Sequence, residues 1–173
     1  MFKIRGKVHP IMILDKDGVM KMLPHRGAML MVDGILELEY GRRALGYRDV
    51  VGDEFWCAGH FPGVPVFPGV LIIEMMAQVC AFLLCGKEAL GEEPEEEPAE
   101  PERIQHRGLQ NVKLRLAKVE EVKFLSEVSV GARLLAEALV DAEGAGFVRA
   151  RCNATSDGRI VAKGKLTCAG KTA

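Results

Sequence analysis

Toward its end the chain alternates apolar and polar residues. Val148, Ala150, Cys152 and Ala154 are separated by Arg149, Arg151, Asn153 and Thr155. Beyond Asp157-Gly158, a dipeptide suited to a two-residue hairpin turn, Ile160, Ala162, Gly164, Leu166 and Cys168 alternate with Val161, Lys163, Lys165 and Thr167. A period of two predicts an antiparallel strand pair with one apolar face and one wet face. Val32 to Glu39 and Arg43 to Val51, on either side of Tyr40-Gly41, predict a second hairpin. Residues 109–119 and 122–130 are two further predicted strands, with Gly131 as the break after them. Residues 52–69 carry the breakers Gly59, Pro62, Gly63, Pro65, Pro68 and Gly69, and predict a loop.

The run VLIIEMMAQVCAFLLC, Val70 to Cys85, departs from this rhythm. It is apolar nearly all round, which predicts a buried helix rather than a surface one. Pro68 suits its start and Gly86 its end. Asp15 or Asp17 is expected to cap a short helix through Met22, stopped by Pro24. One long buried helix beside an antiparallel sheet is an α+β arrangement, with the helix on the apolar face of the sheet. The length, 173 residues, suits one domain over the whole chain.

Charge divides the chain unevenly. The formal net charge is -1, but residues 92–102 read EEPEEEPAEPE, with seven Glu and no Lys or Arg. Without those seven, 17 acidic residues face 23 basic ones, a body of about +6. Like charges and prolines predict an exposed loop insertion at about 91–102. The balance excludes a strongly basic nucleic-acid binder, and the mildly basic body would attract an acidic partner. The five cysteines, with no CxxC pair and no apolar leader in MFKIRGKVHP, fit reduced thiols in a cytoplasm. The most apolar stretch, interrupted by Glu74 and Gln78, is too short and too polar for a membrane span.

Glu74 stands on the apolar helix with Gln78 one turn further on the same face. A buried carboxyl is paired, protonated or kept for a task; the alternative is a narrow exposed stripe. His60, in Gly59-His60-Phe61-Pro62-Gly63, can hold or release a proton near neutral pH, or be merely structural. A histidine and a buried glutamate could divide acid and base work. The N–H groups at the helix start, near Gly69 and Val70, carry partial positive charge suited to a developing oxyanion. Cys57-x-x-His60 lacks the second ligand pair a metal would need, so no metal is expected. His9, His25 and His106 show no local partner pattern.

Leu23-Pro24-His25-Arg26, Met31-Val32-Asp33 and above all GHFPGVPVFPGVLIIEMMAQ (Gly59 to Gln78) resemble the (3R)-3-hydroxyacyl-carrier-protein dehydratases of the FabZ type. LAKVEEVKFLSEVSVGARL (Leu116 to Leu134) extends the likeness more weakly. The resemblance implies the hot-dog fold, a long helix wrapped by an antiparallel sheet, in a homodimer or a trimer of dimers. It implies no cofactor, and sites that take their histidine from one subunit and their acid from the other. By position, His60 matches the catalytic histidine, Glu74 the catalytic acid, and Gly69 the glycine whose N–H binds the thioester carbonyl. Phe61, Pro62 and Val70 would shape the substrate site, and Gln78 would lie near the acid. The implied partner is an acyl carrier protein bearing a phosphopantetheine-linked acyl chain.

The chain departs from the family at Gly27-Ala28-Met29, where Tyr-Pro-Phe is common, and at Val64, where Asn is frequent. Neither touches the acid–base pair. A related isomerase usually has Asp where this chain has Glu74. Thioesterase chemistry, or a non-catalytic subunit binding an acyl chain or carrier protein, are the alternative readings.

Overall fold

Asp15 opens the first helix. Its carboxylate accepts a hydrogen bond from the Gly18 N–H at 2.8 Å, satisfying one of the donors a helix start leaves free. This helix, α1 (Lys16–Met22), ends before Pro24. It belongs to a computed structural model that describes residues 14–89, 112–144 and 146–172. The acidic stretch expected to form a loop at 91–102 lies outside the described residues.

The first hairpin forms as expected, with β1 (Gly34–Glu39) paired antiparallel to β2 (Arg43–Asp49). The long apolar run is α2 (Gly69–Ala89). Beyond the undescribed stretch come β3 (Val112–Phe124), β4 (Arg133–Gly144), β5 (Phe147–Ser156) and β6 (Arg159–Thr172). Together they make one six-stranded antiparallel sheet, ordered β1-β2-β4-β5-β6-β3. Helix α2 lies across its inner face.

Three expectations fail locally. Helix α2 runs past Gly86, expected as its end, to Ala89. Residues 109–119 and 122–130 are not two strands. A single strand, β3, runs through residue 124, with register shifts at Leu116/Lys118 and Glu120/Lys123 that absorb extra residues. Leu125 to Ala132 then leaves the sheet: Leu125 N–H donates to Val161 O, and Phe67 N–H donates to Val128 O. In β6 the apolar alternation slips at its start. Pairing steps from Ala154↔Ala162 to Thr155↔Ile160, so Val161 is an extra residue. Val161 turns inward at 2% exposure, whereas Ile160, expected on the apolar face, is 45% exposed.

The helix and sheet meet closely because bulk and smallness are divided between them. Met75, Met76, Val79, Phe82 and Leu83 of α2 are buried against Ala136, Ala138, Ala150 and Ala154. Each large side chain so covered contributes about 1.5–3 kcal/mol. Gly46 of β2 permits the approach: a methyl there would come within 2.7 Å of a Val79 methyl. Cys80, Cys152 and Cys168 are buried in the core shared by helix and sheet, and the Cys168 thiol donates to Ala77 O at 3.6 Å.

Candidate active site

Glu74 points from the second turn of α2 toward the segment between α1 and β1. Gln78, one turn on, donates from Nε2 to Glu74 Oε1 at 2.8 Å. The same nitrogen donates to Met29 O at 2.7 Å, and Gln78 Oε1 accepts from the Met31 N–H at 2.9 Å. Gln78 is 1% exposed, so this pairing satisfies an amide that would otherwise be costly to bury. Glu74 and Gln78 are therefore a bonded pair, not an exposed stripe.

His25, present in the sequence reading only as part of Leu23-Pro24-His25-Arg26 and with no role assigned, joins them. His25 Nε2 lies 3.5 Å from Glu74 Oε1, and the two side chains are 26% and 25% exposed. Arg26 staples this segment through Leu23 O, His25 O and Met20 O at 2.6–2.7 Å. The short 3-10 turn Gly27–Met29 begins on Gly27 at φ 56, a left-handed conformation that glycine adopts without strain. One departure from the family pattern thus has a local backbone reason. A cavity of about 100 Å³ opens beside Glu74, bordered by Ala77 and Ala81 of α2, Cys168 of β6 and Leu116 of β3.

His60 stands on the loop that leads into α2. Its Nδ1 is 2.7 Å from Val66 O. A carbonyl only accepts, so the neutral ring carries its proton on Nδ1 and keeps a lone pair on Nε2. The loop closes through Val66 N–H to His60 O at 2.8 Å and through reciprocal bonds between Phe61 and Val64. Phe61 stacks on the imidazole, centroids 4.1 Å apart. Phe61, Pro62, Val64 and Val70, on the loop and the first turn of α2, are exposed. Behind the loop, Trp56 meets Phe67 edge-on at 5.3 Å, and Trp56 Nε1 donates to Glu54, which also pairs with buried Arg48. Arg48 in turn donates to Leu30 O at 2.9 Å, tying the His60 loop to the segment beside Glu74.

Gly69 is the first residue of α2, where N–H groups lack intrahelical acceptors. The ring of Phe124 sits over it: a methyl on Gly69 would lie 2.9 Å from that ring. Phe124 and His25 are the neighbours that sequence reasoning did not single out. Within one chain, among the described residues, His60 and Glu74 do not bond to each other; their partners are Val66 and Phe61 on one side and Gln78 and His25 on the other.

A FabA-like domain signature matches residues 23–165. The 3-hydroxyacyl-[acyl-carrier-protein] dehydratase FabZ of Aromatoleum aromaticum is 33% identical over 159 residues, covering 92% of this chain and 99% of that protein. The chain belongs to the FabA-like family, with the FabZ-type dehydratases. The FabZ of Herpetosiphon aurantiacus is 34% identical over 154 residues, 89% of this chain and 96% of its own length. Among solved structures, the dehydratase heterocomplex ApeI:P from Xenorhabdus doucetiae superposes with a TM-score of 0.66 at 16% identity, covering 89% of this chain and 91% of that one. That likeness concerns the fold, which is the hot dog. No helix among the described residues is long and apolar enough to cross a membrane.

Proposed function

We propose that this FabZ-type chain removes water from a (3R)-3-hydroxyacyl-carrier-protein thioester, giving the trans-2-enoyl thioester, in fatty acid biosynthesis. One observation carries the reading. The Glu74 carboxyl is held by a buried amide beside a cavity, while the His60 ring is fixed through Nδ1 with Nε2 left to act as a base. His60 Nε2 takes the proton from the carbon next to the thioester carbonyl. The N–H of Gly69 stabilises the negative charge that develops on the carbonyl oxygen. The electron pair left by the proton forms the new double bond as the C3–oxygen bond breaks, and Glu74 protonates the departing hydroxyl to water.

His60 comes from one protomer and Glu74 from its partner in a homodimer, or in a trimer of dimers. The lack of contact between the two within one chain supports this. The position of β3 at the edge of the sheet, with Leu116, Val119 and Phe124 exposed along it, supports it too. Phe61, Pro62 and Val70 shape the substrate mouth, and Gln78 orients the acid. The acyl carrier protein presents its phosphopantetheine-linked chain to the mildly basic body. The free cysteines Cys57, Cys80, Cys152 and Cys168 suit a reducing cytoplasm.

The test is turnover of 3-hydroxyacyl-carrier-protein thioesters by the purified protein. His60→Ala and Glu74→Gln should each lower kcat by about a hundredfold or more without changing the melting temperature greatly. Wild-type turnover by both variants would overturn the site assignment. Release of free thiol would identify a thioesterase instead, and binding without turnover a non-catalytic acyl-binding subunit.

A further inference from the structure

We infer that His25 is a positioning residue for Glu74, which together with Gln78 makes Oε1 an acceptor only and so places the acid's proton on Oε2. The inference rests on the proposed dehydration, in which Glu74 is the acid. Three observations converge on it. Gln78 Nε2, at 2.8 Å, and His25 Nε2, at 3.5 Å, both approach the same oxygen, Oε1. Gln78 cannot present its carbonyl instead, because that oxygen accepts from Met31 N–H and the nitrogen also donates to Met29 O. The nitrogen facing Oε1 is therefore a donor by necessity.

His25 reaches the same conclusion by a different route. Its Nδ1 is buried with no hydrogen-bond partner among the described residues. A neutral imidazole carries one N–H. On Nδ1 that N–H would be buried without an acceptor, at a cost of about 1–3 kcal/mol. On Nε2 it faces a carboxyl oxygen. The favoured tautomer therefore donates toward Glu74. At 3.5 Å the two atoms approach closely without a formed hydrogen bond in the free chain, and the bond is the one the substrate complex would complete. With the Gln78 N–H bonded to Oε1 and His25 Nε2 beside it, a proton on that oxygen would face two donors. The proton belongs on Oε2, and Glu74 borders the cavity from which it can reach a leaving hydroxyl. The Arg26 bonds to Leu23 O, His25 O and Met20 O hold the imidazole in place for this.

The experiment compares His25→Phe, which keeps a ring but has no donor, with His25→Gln, which restores an N–H at similar reach. On the same acyl-carrier substrate, His25→Phe should lower kcat by about tenfold or more, less than loss of the proton-transferring group itself. KM should stay within about threefold. His25→Gln should recover most of the rate. Wild-type kcat in His25→Phe overturns the inference. So does equal impairment of both variants, or failure of both to fold, since the ring's packing would then be what matters. Glu74→Gln measured alongside separates the two proposals: if it too keeps full activity, the dehydration site itself is wrong; if it is inactive while His25→Phe is not, only the role of His25 falls.

Discussion

Gln78 donates to Glu74 Oε1 at 2.8 Å with an amide whose remaining bonds go to the backbone of Met29 and Met31. One side chain therefore fixes the carboxyl group and fastens the preceding segment to the helix. Replacement by Leu, close in size but without polar atoms, leaves a buried N–H and a buried C=O unpaired. Gln78→Leu should lose about 2–4 kcal/mol of stability, seen as a melting temperature lower by roughly 5–15 °C. An unchanged melting curve would show that those backbone groups find other partners.

Gly69 and Phe124 should behave as a coupled pair. A methyl at residue 69 would sit 2.9 Å from the ring, and the ring, 51% exposed, can swing away. Gly69→Ala should therefore leave stability within about 1 kcal/mol but lower kcat/KM by about ten- to a hundredfold, because ring and methyl crowd the N–H at the helix start. Adding Phe124→Ala should restore part of the loss. Additive effects in the double variant would deny the coupling.

The ion pair of Arg48 and Glu54 is nearly enclosed, with side chains 10% and 8% exposed. Glu54 also accepts from Trp56 Nε1 at 3.0 Å and from Val51 N–H at 3.2 Å. Glu54→Ala strands a buried guanidinium and should cost about 3–5 kcal/mol in urea unfolding. The double variant Arg48→Met with Glu54→Leu should be more stable than Glu54→Ala alone. The opposite order would mean that the bonds to Trp56 and Val51, rather than the stranded charge, dominate.

The buried thiols offer a pH signature. Contact with Cys80, then burial, pushes the Cys168 thiol well above its ordinary range, with the charges of Cys80 and Glu74 adding to the effect. A hydrogen bond with Cys152 does the same to Cys80, offset in part by Cys168 and reinforced by burial. An acid whose folded value is raised adds stability below its unfolded value and loses it as pH climbs above. The contribution of these two thiols to stability should therefore be level up to about pH 8.5, the free-thiol value, and decline beyond it. Native alkylation should label half-exposed Cys57 well before Cys80, Cys152 and Cys168. Replacing Cys80 and Cys168 by Ala should flatten the alkaline decline; an unchanged decline would assign it to other groups.

Where local chemistry decided the structure, the sequence was readable. Asp15 capped α1, Asp157-Gly158 turned the last hairpin, and the unbroken apolar run became α2. Strand β4 shows no clean period in the sequence because its apolar residues occupy both faces: Leu134 and Ala136 face the core, while Leu135 and Leu139 are only half covered. The bulges in β3 and at Val161 arise from pairing with distant strands, so a strict period of two put Ile160 on the wrong face. Within the site, His60, Gly69 and Glu74 stand in one continuous motif. His25 does not: 49 residues separate it from Glu74, and only the folded chain reveals the proximity. Gln78 was visible as a polar residue on an apolar helix, but not as a brace, since its partners are backbone atoms that no residue type announces.

That brace has a further consequence. The stretch from Gly27 to Met31 is physically continuous with the Glu74 carboxyl through a single amide, so a substitution that shifts this backbone also shifts the carboxyl. The Gly27-Ala28-Met29 triplet sits on that lever, because the Met29 carbonyl is one of the two backbone anchors of the Gln78 amide.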